Sequence, residues 1–128
     1  MRWRGGVAFG FVLVGAVSCS SVDDRAVADE AAAFLRALQK GDGAGACARL
    51  LPRAAESLES GGKACADEVL GLDVAVGGVR GVEVWGDHAL VRAGGQAVFL
   101  SRWGPGWRVA AAGCEARPDE PYACEVEA

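Results

Sequence analysis

The hydrophobic period of this chain changes near Leu72, and that change most constrains its fold. Before Leu72, apolar residues recur every three or four positions, which predicts amphipathic helices. After it, apolar and polar residues alternate in short runs between glycine-rich turns, which is typical of strands joined by hairpins. Helices followed by strands predict an α+β domain, in which N-terminal helices pack on one face of an antiparallel β-meander. The four alternating runs are 79–85, 88–93, 96–103 and 107–112.

Capping residues, glycines and a proline divide the helical half. We expect a first helix from about Val27, followed by three shorter helices. Aspartate side chains and a first-turn proline are typical of helix starts, whereas glycine commonly follows helix ends. The residues expected in these roles are Asp23 or Asp24, Gly41, Asp42, Pro52 and the pair Gly61-Gly62.

Residues 1–18 have the organisation of a secretory signal. Arg2 and Arg4 precede an uncharged apolar run over residues 5–17, and the small residue Ser18 follows it. This order of basic, apolar and small residues is typical of a cleaved export signal. The run is too short to span a bilayer, which takes about 20 apolar residues. We therefore expect an exported chain with residues 1–18 as its signal peptide.

The end of this signal, residues 16–19, reads Ala-Val-Ser-Cys and resembles the lipobox of bacterial lipoproteins. The resemblance implies cleavage before Cys19 and lipidation of its side chain with acyl chains such as palmitate. Two acyl chains anchor a protein stably on a bilayer. The expected location is therefore the extracytoplasmic side of the cell membrane. Residues 19–25 are expected to form a tether, and residues 26–128 a single domain.

The mature chain is acidic, which bears on its partners. Loss of Arg2 and Arg4 with the signal leaves 11 basic residues against 17 acidic ones, a net charge of −6. Nucleic-acid binding needs clustered lysine and arginine, so we expect no nucleic-acid partner. Attraction to anionic lipid is not expected either, and the lipid on Cys19 would have to provide the membrane contact.

Four cysteines beyond the expected lipidation site predict two disulfide bonds. An even number of cysteines in a small exported chain is typical of a disulfide framework. Three pairings are formally possible. Chain position favours Cys47 with Cys65, on the inward faces of neighbouring short helices. It also favours Cys114 with Cys124, which bracket a charged loop containing two prolines.

The order of elements also resembles a known fold. The residues that carry the likeness are 34–38 with Gly41-Asp42, Cys47 with 50–52, Cys65 with Val69-Leu70, and 106–114. With their order of one helix, short helices and an antiparallel meander, they resemble the nuclear-transport-factor-two-like (cystatin-like) α+β fold, and in particular small exported lipoproteins of actinobacteria. The resemblance implies helices packed on a curved sheet, with a cone between them, and many of its members have no known activity.

Enzymes of this fold would need a carboxylate base inside the cone. Here the acidic residues are expected at helix ends, in turns and in the tail, with Glu83 facing solvent and Asp87 in a turn. His88 is the only histidine and no C-x-x-C spacing occurs, so we expect no metal, no cofactor and no catalytic residue. The expected function is a non-catalytic binding or accessory module with an unknown protein partner. The alternative is binding of a small apolar ligand in the cone, and a lower alternative is an isomerase- or hydrolase-like enzyme.

Strand parity predicts which side chains face the helices, because alternate residues of a strand share a face. Arg92 shares parity with Leu90, and Arg102 with Leu100, so we expect both leucines on the outer face, partly covered by the tail. The residues expected to face inward are Val91, Ala97 and Phe99.

Large apolar residues bear on whether the cone is open. Trp103 and Trp107 flank Gly104-Pro105-Gly106, and we expect them to face each other across a three-residue hairpin loop as a structural clamp. An open apolar cone would favour ligand binding, whereas a filled one would favour an accessory role. The residues expected to fill it are Phe34, Leu38, Leu72, Val84 and Phe99.

Overall fold

A computed structural model describes residues 10 and 20–128 of the chain. Four α-helices precede six strands that form one antiparallel sheet, which confirms the α+β class. Short 3-10 turns also occur at Glu59–Gly61 and Val69–Gly71. The helices are α1 Ser20–Gln39, α2 Gly43–Ala48, α3 Pro52–Leu58 and α4 Cys65–Glu68. The strands are β1 Val79–Trp85, β2 His88–Ala93, β3 Gln96–Trp103, β4 Gly106–Arg117, β5 Glu120–Ala123 and β6 Val126–Glu127.

Helix α1 begins earlier in the chain than the apolar period predicts. It starts at Ser20, so residues 20–25 are helical rather than an irregular tether. Asp23 therefore lies inside the first turn, where a negative charge is favourable at the positive end of the helix dipole, instead of acting as the N-cap. The end of the helix is as predicted. Gly41 has φ 72°, its N–H donates to Leu38 O, and the Asp42 N–H donates to Ala37 O at 2.8 Å.

The short helices are joined by the first predicted disulfide. The Asp42 side chain caps α2, because its Oδ1 accepts a hydrogen bond from the Gly45 N–H at 2.9 Å. Cys47 of α2 is bonded to Cys65 at the start of α4, with 6.2 Å between their Cα atoms. The two helices pack so closely that a Cβ atom on Gly43 would overlap the backbone carbonyl of Ala66. Glycine at position 43 is therefore a packing requirement.

Strands β1 to β4 pair in sequence order, and two irregularities bend β4. Phe99 lies opposite Ala111, but Leu100 lies opposite Val109, so Ala110 is an additional residue in β4. A second additional residue is Gly113, which has φ 66°. Each such bulge reverses which side chains face the helices and increases the local twist of the strand.

The segment between Cys114 and Cys124 forms strands where we expected a charged loop. Residues 114–123 form a hairpin in which Arg117 pairs with Glu120, and its turn contains Asp119 at φ 57°. Cys124 is bonded to Cys114, which is the second predicted pair. Strand β6 then pairs with β4, as Val126 lies opposite Ala112. The sequence-based interpretation missed β5 because prolines and charges dominate this segment, whereas the disulfide and β4 provide its order.

The main core lies between the helices and the inner face of the sheet. Phe34 of α1, Leu50 before α3 and Leu100 of β3 are its largest fully buried side chains. Val82 and Val84 of β1 pack against it from the open edge of the sheet. The fully buried valines of this core are Val27, Val69, Val91, Val98 and Val109, whereas Val82 and Val84 are partly buried.

A second, smaller apolar cluster lies on the outer face of the sheet. Leu90 and Phe99 are cross-strand partners, and the ring of Tyr122 meets the Phe99 ring edge-on at a centroid distance of 5.3 Å. The disulfide between Cys114 and Cys124 is part of the same cluster. The tail therefore covers this face, as expected for Leu90.

The predicted faces of β3 are reversed. Leu100 faces the helices, whereas Phe99 and Ala97 face outward, although Val91 and Leu90 lie as predicted. The error comes from Arg102, which we took as marking a solvent face. Arg102 shares the inner face with Leu100, but it lies at the end of β3, where its guanidinium reaches Asp23 of α1.

The inner position of Leu100 predicts a large loss of stability on truncation. Leu100 is 1% exposed, so Leu100→Ala should lower the free energy of unfolding by about 2–5 kcal/mol through the cavity it leaves. Leu70 is 45% exposed and is the matched control, for which Leu70→Ala should change stability by less than about 0.5 kcal/mol. Urea unfolding of both variants measures the difference. Equal losses would contradict the assigned face.

Each disulfide should contribute to stability independently. Replacing Cys47 and Cys65 by alanine, or Cys114 and Cys124, should lower the free energy of unfolding by about 2–5 kcal/mol per bond. Thermal unfolding of the two double variants measures these losses. Peptide mapping without reduction is the control, and a peptide linking Cys47 to Cys114 or Cys124 would refute the pairing.

Candidate functional site

The space between the helices and the sheet is occupied by apolar side chains. Of the residues expected to fill it, Phe34 is fully buried, and Leu38, Leu72 and Val84 pack against the same core. Phe99 is the exception, because it lies on the outer face. Among residues 22–128, no polar or charged side chain is buried. A carboxylate base would need a place in this interior, and the interior is apolar.

An open groove lies outside this core, between α1, α2 and the start of β4. It encloses about 600 Å³. The second half of α1 forms one wall and α2 forms another, and residues 106–108 of β4 complete the lining. Its charged lining residues are Arg36, Lys40, Arg49 and Arg108, with Glu30 and Asp42 as the two carboxylates. Positive charges therefore outnumber negative ones in this groove, although the chain as a whole has a net charge of −4.

Both carboxylates of the groove already have partners. Glu30 accepts a hydrogen bond from the Arg49 guanidinium at 2.9 Å, in a half-buried ion pair. Asp42 caps α2 through the Gly45 N–H. The guanidinium of Arg108 donates to the carbonyl oxygen of Ala48, at the end of α2. The groove walls are thus held in place by contacts between α1, α2 and the sheet.

Arg36 and Lys40 are the cations of the groove that such contacts do not occupy. They lie four residues apart near the end of α1, which places them on one face of the helix. Both are exposed, and within the described part of the chain neither has a carboxylate partner. The groove can therefore offer an anion two charged donors. Their spacing is a signal in the sequence, but Arg108 and Trp107 join them only in the folded chain.

A cluster of contacts around Arg102 lies beside the hairpin that joins β3 and β4. The Arg102 guanidinium lies over the Trp107 ring, 4.5 Å from its centroid. Its Nη2 is 3.0 Å from Asp23 Oδ2, and its Nε is 3.2 Å from Asp87 Oδ1. One side chain thus connects the first turn of α1, the turn after β1 and the end of β3.

The tryptophan arrangement differs from the predicted clamp. The turn after β3 has two residues, Gly104 and Pro105, so Trp103 lies opposite Gly106, and Arg102 opposite Trp107. A two-residue turn shifts the register by one position relative to the three-residue loop we expected, and that shift reverses the face of one tryptophan. Trp107 is buried, whereas Trp103 is half exposed.

The other residues singled out in the sequence lie at the surface. His88 is exposed, with its Nδ1 3.3 Å from Ser101 Oγ. Glu83 faces solvent as predicted, and its carboxylate is 3.8 Å from the Arg92 guanidinium. In the described ranges, no three histidine, cysteine, aspartate or glutamate side chains come together in a way that would hold a metal ion.

The expected signal peptide, residues 1–18, and the expected lipidation site, Cys19, lie outside the described residues, apart from Gly10. Across the part of the chain that is described, no helix has the length and apolar character needed to cross a bilayer.

No protein-family model, curated protein sequence or solved structure matches this chain.

Proposed function

We propose that this protein is an exported lipoprotein, anchored by acyl chains on Cys19 to the extracytoplasmic side of the cell membrane. We also propose that its domain, of the nuclear-transport-factor-two-like (cystatin-like) type, is a non-catalytic binding module. The membrane anchor is supported by the residues Ala16-Val17-Ser18-Cys19 after a short apolar run. The domain type is supported by helices packed on one face of an antiparallel sheet whose fourth strand contains two bulges.

The apolar interior supports a non-catalytic role. General acid–base catalysis needs a titratable group within hydrogen-bond reach of the reacting atoms, in a pocket that admits substrate. The region between helices and sheet is instead packed with Phe34, Leu100 and the core valines. The same packing weighs against a small apolar ligand in the cone, because side chains of the protein occupy that space.

The groove is the observation that carries the binding proposal. Its two unoccupied cations, Arg36 and Lys40, favour a partner that presents a carboxylate or phosphate group. Charge-assisted hydrogen bonds from arginine to such groups are stronger than neutral ones. The open shape of the groove fits a group carried at the end or on the surface of a larger partner.

Succinate and inorganic phosphate are simple probes of this groove. Adding either probe to the protein should shift the NMR resonances of the backbone amides of residues 36–40 and Ala48, and of the Trp107 indole. Removing a charge-assisted hydrogen bond costs about 1.5–3 kcal/mol, so Arg36→Gln should weaken binding of the bound probe about 10- to 100-fold. Arg53 and Arg80 are exposed and do not line the groove, so Arg53→Gln and Arg80→Gln are matched controls. Equal weakening by all three substitutions would contradict a specific site.

Cys19→Ala tests the anchor separately. We expect the variant to keep its signal uncleaved or to leave the membrane fraction, because the acylated residue is missing. Mass spectrometry of the mature N-terminus of the unaltered protein should find a diacylated Cys19. Cleavage at another position with an unmodified Cys19 would refute the lipoprotein proposal.

A further inference from the structure

One end of the domain brings the start of α1 beside two hairpin turns. Arg102 forms ion pairs with both Asp23 of α1 and Asp87 of the turn after β1. The Arg102 N–H also donates to the Asp87 carbonyl at 2.9 Å. Arg102 itself immediately precedes Trp103 and the turn after β3. The helix start and both turns are therefore held together at one end of the domain.

Three exposed apolar side chains lie at this end. Val22 of α1 is 67% exposed, Trp85 at the end of β1 is 48% exposed, and Trp103 at the end of β3 is 50% exposed. The strand registers place Trp85 and Trp103 on the same outer face, since Trp85 lies opposite His88, and His88 opposite Ser101. We define Val22, Trp85 and Trp103 as the anchor-end patch.

The proposed lipid attachment site is close to this patch along the chain. Cys19 is four residues from Asp23, so their Cα atoms are at most about 14 Å apart even in a fully extended chain. Ser20, which follows Cys19 in the chain, already belongs to helix α1. A lipid on Cys19 would therefore hold this end of the domain, rather than the opposite end, at the bilayer surface.

We propose that the anchor-end patch docks into the headgroup region of the membrane, with the indoles of Trp85 and Trp103 inserted at the interface. Tryptophan favours this region because its ring is apolar while its N–H keeps a hydrogen bond. The mature chain is acidic, and Asp23, Asp24 and Asp87 lie near the patch, so apolar insertion rather than charge drives the contact. This inference rests on the proposed lipid anchor and adds an orientation of the domain relative to the membrane.

The test uses the full protein purified from membranes and reconstituted in phosphatidylcholine vesicles, with or without lipids brominated near the headgroup. Bromine quenches indole fluorescence only at short range. We expect the brominated lipid to quench the emission of the unaltered protein, with partial loss of quenching in Trp85→Phe and in Trp103→Phe. The double variant should lose nearly all quenching, because the remaining mature tryptophan, Trp107, is buried. Leu70→Gln alters an exposed apolar residue elsewhere and should leave quenching unchanged.

The outcomes separate docking from anchoring. Unquenched tryptophans in a protein that is diacylated and bound to vesicles would overturn the docking and leave the anchor intact. An unmodified Cys19 would overturn both. The fluorescence emission of Trp85 and Trp103 could instead shift to the blue without vesicles, to an extent that depends on protein concentration. That result would also overturn the docking, because it would assign the patch to contact with a second copy of the chain or another protein.

Discussion

Strand β4 is the element on which the rest of the structure depends, because its backbone is paired along both edges. One edge pairs with β3. The other edge is covered in succession by three segments, of which only the one before α3 is distant in sequence. Val109 exchanges backbone hydrogen bonds with Arg49 and Leu51, β6 pairs with residues 111–112, and β5 pairs with the end of the strand. Exposed strand edges invite pairing with other chains, and this strand has its edge covered by its own chain.

The two bulges in β4 allow one strand to contribute to two cores. Val109 faces the helices, and after the additional residue Ala110 the next side chain, Ala111, faces outward. Gly113 provides the second irregularity, and only glycine fits there, because a Cβ would meet the Glu125 side chain. Each core is also closed by its own disulfide. A chain of this size buries a limited fraction of its surface, so covalent cross-links in both halves compensate for small cores.

Local sequence signals predicted most of the helices and strands. The predictions that were wrong concern features that depend on contacts between residues distant in the chain. The Gly41 cap, Pro52 at the start of α3 and the first three strands depend on neighbouring residues, and their bounds follow from the sequence. The face of β3 depended instead on Arg102, whose partner Asp23 is far away in the chain. Strand β5 depended on a disulfide and on β4. The groove was not predicted at all, since Arg36 and Arg108 come together only when α1 packs on the sheet.

The role of Arg102 is positional rather than energetic. Exposed ion pairs contribute about 0–1 kcal/mol each, and the contact with the Trp107 ring adds an amount of similar size. These energies are too small to explain the fold, which depends on the cores and disulfides. What the guanidinium does is connect Asp23 to Asp87, and thereby hold the start of α1 beside the turns that carry Trp85 and Trp103. A lipid on a free tether would leave the domain free to rotate. A lipid close to a helix start that is fixed in this way would instead determine which surface meets the membrane, and therefore in which direction the groove opens.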